Sequence, residues 1–221
     1  KIKKKMKFGI GTVQFGLDYG LSNNIKIPSN KQIKEILLFF KENNLEYIDT
    51  ASLYGLSEEK IGKLSPVNNR FKIITKTIKV IGNEVLKNDI INLKENIKKS
   101  FENLKRKTIY GILIHRETDL LKPGSEEIYN YLSDLKKKKM IKKIGFSSYS
   151  PEIANSINKK FNFDIIQLPI NILNQKYLKN NFLEKLKKKK IEIHVRSIFD
   201  QGVLAENENA LDIDIDLDKK K

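Results

Sequence analysis

The sequence contains no cysteine, and it has no apolar run that approaches the length of a membrane-spanning helix. Without cysteine, a disulfide framework, a thiolate metal site and a cysteine nucleophile are all excluded. The first residues, KIKKKMKFGIG, contain no hydrophobic signal region followed by a cleavage site, so we expect a cytoplasmic protein with no membrane partner. The length of 221 residues suits one sizeable core and therefore one main domain.

Arginine is also scarce, although the formal net charge is +16. A charge of this size is typical of nucleic-acid binding, but the excess comes from lysine, whereas arginine makes the forked contacts to phosphates and bases. The lysine runs at 136–139 and 187–190 each close a helical pattern just before a strand. Cations offset the dipole at a helix C-terminus, so we interpret the runs as solvated helix ends and expect no nucleic-acid partner.

Short apolar strands and amphipathic helices alternate along the sequence. The predicted strands cover residues 7–13, 47–49, 71–75, 108–114, 142–146, 164–168 and 191–197. Helices are predicted after the N-cap residues Ser29 and Ser150, from Ser57 onward with Ile61 and Leu64 facing inward, and over residues 89–104, 124–139 and 177–190. This alternation with short connections indicates βαβ units, parallel strand pairing and the α/β class.

Two architectures fit such a pattern: a doubly wound open sheet and a (β/α)8 TIM barrel. A dinucleotide-binding fingerprint after the first strand would favour the open sheet, but GIGTVQFG has the wrong spacing. Polar residues lie at or near the ends of several strands, where a barrel places its active site. These residues are Asp49, Lys76, His115, Ser147, Gln167 and Arg196. The sequence therefore predicts the barrel.

The stretch EYIDTASLYG, residues 46–55, contains a carboxylate and a phenol that could form the centre of a functional site. Asp49 ends a buried strand, and a carboxylate there must be paired or hydrogen-bonded. Tyr54 follows five residues later in a loop. A tyrosine beside a cation is a candidate proton donor, because the cation lowers the pKa of the phenol. On this stretch alone a structural interpretation stays open, with Asp49 capping the next helix and Tyr54 packing on the loop.

Closing the strands into a barrel would bring Asp49, Lys76 and His115 to one mouth, below Tyr54. Lys76 beside Asp49 would stay charged, and His115 could hydrogen-bond an oxygen that Tyr54 protonates. This set suits the protonation of a carbonyl oxygen. The sequence offers no evident nucleophile or metal-ligand cluster, so the species attacking the carbon would be a cofactor hydride. Taken by itself, His115 is more often a structural histidine.

The segments YIDTASLYG, ITK at 74–76 and LIH at 113–115 closely resemble the aldo/keto reductase family. The resemblance implies a (β/α)8 barrel that uses NADPH, with NADH as the alternative, to reduce a small-molecule carbonyl substrate. It also implies a catalytic tetrad of Asp49, Tyr54, Lys76 and His115. Tyr54 would be the general acid, Lys76 and Asp49 would tune it, and His115 would orient the carbonyl.

The same resemblance implies a set of cofactor-binding residues. GFSSYS at 145–150 is similar to the segment that holds the nicotinamide amide, with Ser147 matching and Ser148 replacing the usual Asn. Gln167 matches the other amide-binding position. Arg196, followed by Ser197, stands where the family commonly has an aromatic that stacks on the nicotinamide. The segment VRSIFDQGVL is similar to the corresponding segment of bacterial members linked to surface-polysaccharide genes, which implies a sugar-related substrate.

The pattern departs from the family after Leu204. We count seven strands, whereas a barrel of this kind needs eight and about 250 residues. We therefore expect a C-terminally shortened barrel over residues 1–204 and a tail over 205–221 in which Asp alternates with Leu or Ile. The rival hypothesis is a non-catalytic remnant of a reductase, or an interaction module, that keeps the fold without a competent cofactor site. The tail's role and the oligomeric state are left open by the sequence.

Overall fold

A computed structural model of the protein describes residues 7–20, 26–66 and 70–205. One sheet of seven strands runs through these residues. The strands are β1 (Gly9–Gly11), β2 (Tyr47–Asp49), β3 (Lys72–Lys76), β4 (Ile109–Ile114), β5 (Ile141–Ser147), β6 (Ile165–Pro169) and β7 (Glu192–Arg196). Beyond Ala205, the tail predicted over 205–221 lies outside the described residues.

The strands follow one another in the sheet in chain order, and each neighbouring pair is parallel. Parallel neighbours need a crossover connection, which helices supply. The sheet curls into a nearly closed α/β barrel, so the predicted fold is confirmed, with seven strands in the described part of the chain. All strands point the same way, and their carboxyl ends form one rim of the barrel.

The helices cover the outside of this barrel. They are α1 (Val13–Gly16), α2 (Asn30–Glu42), α3 (Ser57–Leu64), α4 (Lys87–Asn103), α5 (Ser125–Lys137), α6 (Pro151–Lys160) and α7 (Phe182–Lys188), with short 3-10 helices at Glu117–Leu120, Lys176–Leu178 and Asp200–Ala205. Ser29 caps α2 through a capping box with Gln32, and Ser150 caps α6 through the amide of Ile153. No helix in the described ranges has the length and apolar character to cross a bilayer.

Two predicted elements differ from the structure. The helix predicted over 177–190 is interrupted, because Asn180 and Asn181 both adopt φ of 54°, which belongs to the left-handed region. A 3-10 turn precedes this pair, and α7 begins only at Phe182. The first strand, predicted over 7–13, is confined to Gly9–Gly11, and the chain turns into the short helix α1 at Val13.

The apolar core has two parts. The larger part lies between the sheet and the helices, where each buried Leu, Ile or Phe contributes about 1.5–3 kcal/mol. Its fully buried members include Ile33, Leu37, Ile48, Ile61, Leu93, Ile112, Leu132, Phe146, Ile157 and Ile166. The smaller part is a layer of Ile74, Leu113 and Ile165, each at most 1% exposed, with Tyr47 and Tyr110 packed against it.

A polar network is built on the amino-terminal halves of the strands, on the far side of this small layer from the rim. The carboxylate of Glu192 accepts hydrogen bonds from Tyr110 at 2.9 Å, from His194 at 2.7 Å and from Lys143. Burial alone would raise the pKa of Glu192, but these donors outweigh it and lower the pKa to about 2. At the amino-terminal end of the barrel, these charged and polar groups are therefore paired with one another. The candidate active site lies at the opposite end, on the carboxyl-terminal rim.

The sheet has two edges in the described part of the chain, because β1 pairs with β2 alone and β7 with β6 alone. Val195, in β7, is 43% exposed, although valine side chains are usually buried in a core. An eighth strand would pair with both edges and cover this surface. The gap therefore lies where the sequence predicted a shortened barrel.

Gly145→Ala is expected to lower the free energy of unfolding by about 1–3 kcal/mol, because overpacking a core forces backbone shifts. A Cβ at Gly145 would lie 2.2 Å from the carbonyl oxygen of Ile165 and 2.7 Å from Cδ2 of Leu113. Gly11→Ala is the matched control in a strand, since nothing lies within 4 Å of its added Cβ, and we expect a change below about 0.5 kcal/mol. Urea denaturation measures both, and equal losses would contradict the packing.

Candidate active site

A buried ion pair joins the ends of β2 and β3. The Nζ of Lys76 lies 2.9 Å and 2.8 Å from the two carboxylate oxygens of Asp49, and 2.8 Å from the carbonyl oxygen of Thr50. The side chain of Lys76 is 1% exposed, whereas that of Asp49 is 24% exposed. Because Asp49 compensates the charge of the buried Lys76, removing Asp49 would leave an unpaired buried cation, at a cost of about 3–5 kcal/mol.

Tyr54 is brought over this pair by a loop that folds back against α1. The loop depends on close backbone contact: a Cβ on Gly16 would lie 1.9 Å from the carbonyl oxygen of Tyr54, and Gly55 adopts a φ of +55°. The Nζ of Lys76 lies 5.1 Å from the ring centroid of Tyr54, and the His115 ring meets it edge-on at 6.0 Å. The structure thus brings together Asp49, Tyr54, Lys76 and His115, the four residues of the predicted tetrad.

The pKa of Tyr54 shifts in the direction opposite to our sequence-based expectation. Burial raises it above its usual value, and the negative charge of Asp49 raises it further, while the cation of Arg196 opposes both. We expected a neighbouring lysine to lower it; the burial of the phenol, which a sequence does not reveal, outweighs that attraction. Tyr54 therefore stays protonated at neutral pH, which is the state that a proton donor requires.

His115 follows β4 directly and is held uncharged. Burial lowers its pKa to about 4, and the cation of Lys76 acts in the same direction. Its backbone amide donates to Thr77 Oγ1 at 3.3 Å, while the ring atom Nδ1 is buried with no hydrogen-bond partner in the described residues. At neutral pH the side chain is therefore a neutral imidazole, and its ring lies edge-on to the ring of Tyr54.

Gln167 and Ser147 lie side by side on β6 and β5. The amide nitrogen of Gln167 donates to Oδ1 of Asp49 at 2.7 Å, so it ties a third strand to the ion pair. Its amide oxygen is buried without a partner among the described atoms. Both side chains are at most 2% exposed, and both are therefore held firmly beneath the rim.

Arg196, at the end of β7, forms a cation–π contact with Tyr149, with its guanidinium carbon 4.2 Å from the ring centroid. One of its terminal nitrogens donates to the carbonyl oxygen of Ser148 at 3.4 Å, and the other to Oγ of Ser197 at 3.2 Å. Its Nε is buried and has no partner in the part of the chain that the structure describes. The guanidinium is therefore held by the ring of Tyr149 and by two hydrogen bonds.

The hydroxyl of Ser148 is fully engaged within the protein. It donates to Oε2 of Glu117 at 2.7 Å and lies 2.9 Å from the hydroxyl of Tyr177, and the residue is buried. Glu117, Tyr149 and Tyr177 were missed by the sequence analysis. Their contacts link residues about thirty positions apart, and no local pattern signals them; a carboxylate two residues beyond a strand-end histidine was the one available hint.

Among the residues that the structure describes, three buried polar atoms near the rim have no hydrogen-bond partner: Nδ1 of His115, Oε1 of Gln167 and Nε of Arg196. A buried polar group without a partner costs about 1–3 kcal/mol, so such groups are rare unless a ligand or water completes them. A nicotinamide amide and a carbonyl oxygen offer the matching donors and acceptors, so the residues present fit a nicotinamide cofactor. No group of three metal-binding side chains occurs within the described ranges.

A parallel α/β barrel with polar residues at the carboxyl ends of its strands defines a class of barrel enzymes. The particular family follows from comparison with known proteins. The model of the aldo/keto reductase family matches residues 7–220, so the chain belongs to the aldo/keto reductase family, whose members are oxidoreductases. None of the curated proteins compared with the chain matches it.

Solved structures of this family share the fold. An aldo-keto reductase of Pseudomonas aeruginosa is 23% identical, with a TM-score of 0.70, and the match covers 86% of this chain and 72% of that one. The glycerol dehydrogenase of Gluconobacter oxydans is 22% identical, with a TM-score of 0.68, over 96% and 66% of the two chains. A Bombyx mori aldo-keto reductase in complex with NADP is 17% identical, with a TM-score of 0.61, over 86% and 61%. The chain thus spans about two thirds of the length of these relatives.

The pH dependence of stability tests the environment of His115. Its pKa of about 4 in the folded state lies below the usual 6.5, so between these values the unfolded chain binds more protons. Stability should therefore fall as the pH drops from 6.5 towards 4, by up to about 1.4 kcal/mol per pH unit. In His115→Gln this contribution is absent. Urea denaturation of both proteins at pH 7 and pH 4.5 checks it; parallel losses would contradict a buried, neutral His115.

Proposed function

We propose that this chain reduces an aldehyde or ketone to an alcohol with NADPH, or with NADH, as the hydride donor. The observation that carries the proposal is the arrangement around Tyr54: a protonated phenol between the buried Lys76 cation and the neutral ring of His115. Membership of the aldo/keto reductase family supports the reaction class. The preference for NADPH comes from the resemblance alone.

Tyr54, Lys76 and His115 each have a distinct role in the proposed carbonyl reduction. When bound, the reduced nicotinamide supplies a hydride for the carbonyl carbon. Tyr54 gives its hydroxyl proton to the carbonyl oxygen as negative charge develops there, and the phenolate that remains is stabilised by Lys76. His115, which is neutral, donates a hydrogen bond from its protonated ring nitrogen to the same oxygen and orients it. A proton from water then restores Tyr54.

Asp49 acts on this chemistry through Lys76. By pairing with Lys76, the carboxylate keeps the buried cation in place and near charge balance, so the site does not accumulate positive charge. Asp49 is also one of the groups that keep Tyr54 protonated. We therefore assign Asp49 a supporting role, and Tyr54 the role of general acid.

The cofactor would be held by side chains at the ends of β5, β6 and β7. The free amide oxygen of Gln167 and the buried Ser147 are suited to the nicotinamide amide, and Arg196 with Ser197 to the ring and its surroundings. The hydroxyl of Ser148 is bonded to Glu117, so we propose that Ser148 contributes through its backbone rather than through its side chain. A sugar-related carbonyl substrate remains a prediction from the resemblance.

Tyr54→Phe is expected to lower kcat for carbonyl reduction by roughly 10²–10⁴, the usual contribution of a general acid. The ring keeps its packing, so the Kd for NADPH should change by less than about threefold. Steady-state rates with a panel of aldehydes and ketones, together with fluorescence titration, measure both quantities. Tyr110→Phe is the matched control, because its hydroxyl bonds to Glu192 at the opposite end of the barrel. Turnover retained in Tyr54→Phe would contradict the assignment.

NADPH titration of the 221-residue chain tests the cofactor proposal directly. Because the chain contains no tryptophan, the expected signal is a saturable enhancement of the nicotinamide emission itself. Binding that appears only in a chain extended at its C-terminus would show that the seven described strands do not complete the cofactor site. Absence of binding in both forms would contradict the proposal and favour a non-catalytic member of the family.

A further inference from the structure

The segment that follows β5, residues 148–150, is held by one buried carboxylate. Glu117 is 3% exposed and begins the 3-10 helix after β4. Its Oε2 accepts the hydroxyl of Ser148 at 2.7 Å, and its Oε1 accepts the backbone amides of Tyr149 at 2.9 Å and Ser150 at 3.0 Å. One side chain thus satisfies three consecutive residues of another loop.

This segment leads directly to the candidate cofactor site. The ring of Tyr149 lies under the guanidinium of Arg196, and the carbonyl oxygen of Ser148 accepts from the same guanidinium. Ser147, immediately before the segment, ends β5 beside Gln167. The conformation of residues 148–150 therefore affects the position of the Arg196 guanidinium. It also affects the backbone that follows Ser147 at the end of β5.

A second carboxylate in the same 3-10 helix shows that the contact is specific. Asp119 is equally buried, at 1% exposure, but it binds Arg116, Lys122 and the backbone amide of Val80. It therefore holds the loop after β3, and within the described residues these partners all lie outside residues 148–150. One short turn thus carries two buried carboxylates, each serving a different loop of the rim.

We propose that Glu117 is a positioning residue for cofactor binding: it fixes residues 148–150, and through them the stacked pair Tyr149 and Arg196, where the nicotinamide ring is received. This inference rests on the proposed function. Glu117 itself would touch neither the cofactor nor the substrate. Without its carboxylate, two backbone amides and one hydroxyl lose their acceptor, and the segment is free to take other conformations.

The same geometry predicts that glutamine can replace Glu117. Its amide oxygen can accept from the amides of Tyr149 and Ser150, as Oε1 does now. Its amide nitrogen can donate to Oγ of Ser148, whose own proton is then available to the carbonyl oxygen of Ser150, 3.2 Å away. Alanine offers none of these contacts. Rescue by glutamine therefore separates a requirement for the hydrogen bonds from a requirement for negative charge.

NADPH titration followed by fluorescence, on the full chain, provides the first test. Glu117→Ala should weaken NADPH binding about tenfold or more, equivalent to about 1.4 kcal/mol. Glu117→Gln should stay within about threefold of the unsubstituted chain. Asp119→Ala is the matched control: we expect it to lower the thermal midpoint at least as much as Glu117→Ala, because it strands two cations, and to leave the Kd within about threefold.

Hydrogen exchange of the cofactor-free protein provides the second test and does not depend on activity. Glu117→Ala should accelerate exchange of the amides of Tyr149 and Ser150, while Asp119→Ala should not. Unchanged exchange, or an unchanged Kd in Glu117→Ala, would overturn the positioning role and leave the proposed function intact. Equal weakening in Asp119→Ala would also overturn it, as general destabilisation would then explain both. A parent chain that binds neither NADPH nor NADH would overturn the proposed function and, with it, this role.

Discussion

The ion pair between Lys76 and Asp49 is the constraint on which the rim of the barrel depends. It ties β2 to β3, and the amide of Gln167 extends the connection to β6. A lysine that is 1% exposed can remain buried as a cation only with such partners. Its location in turn sets the electrostatics of its neighbours, because the same charge that approaches the ring of Tyr54 also helps to keep His115 neutral.

The surroundings of Tyr54, the proposed proton donor, keep its phenol protonated. Burial and the charge of Asp49 both favour the protonated phenol of Tyr54, while burial and Lys76 disfavour a charged His115. Two neutral side chains thus lie next to each other, close to the compensated charges of Lys76 and Asp49. A cation near a phenol assists proton transfer by stabilising the phenolate once it forms, even where the resting pKa is high. In the proposed mechanism, Lys76 therefore contributes by stabilising the phenolate that proton transfer leaves behind.

Periodicity and strand-end chemistry were sufficient to predict the barrel and the meeting of Asp49, Tyr54, Lys76 and His115, because parallel strands bring their carboxyl ends to one rim. The sequence did not predict the effects of burial on pKa values. It indicated a lowered pKa for Tyr54, whereas burial in the folded protein raises this pKa. Local conformation also overrode pattern at Asn180 and Asn181, whose positive φ divides a predicted helix. The role of Ser148 depends on Glu117, thirty-one positions away, and a contact of that kind has no periodic signature.

The small apolar layer of Ile74, Leu113 and Ile165 separates two polar systems inside one barrel. Above it lie Lys76, Asp49 and Tyr54; below it, Glu192 is surrounded by its donors. None of the three layer side chains can donate or accept a hydrogen bond, so the layer provides no relay along which a proton could pass between the two ends. The layer thus separates the hydrogen-bond network around Glu192 from Tyr54, and in the proposed mechanism the proton that restores Tyr54 has to enter from the open rim.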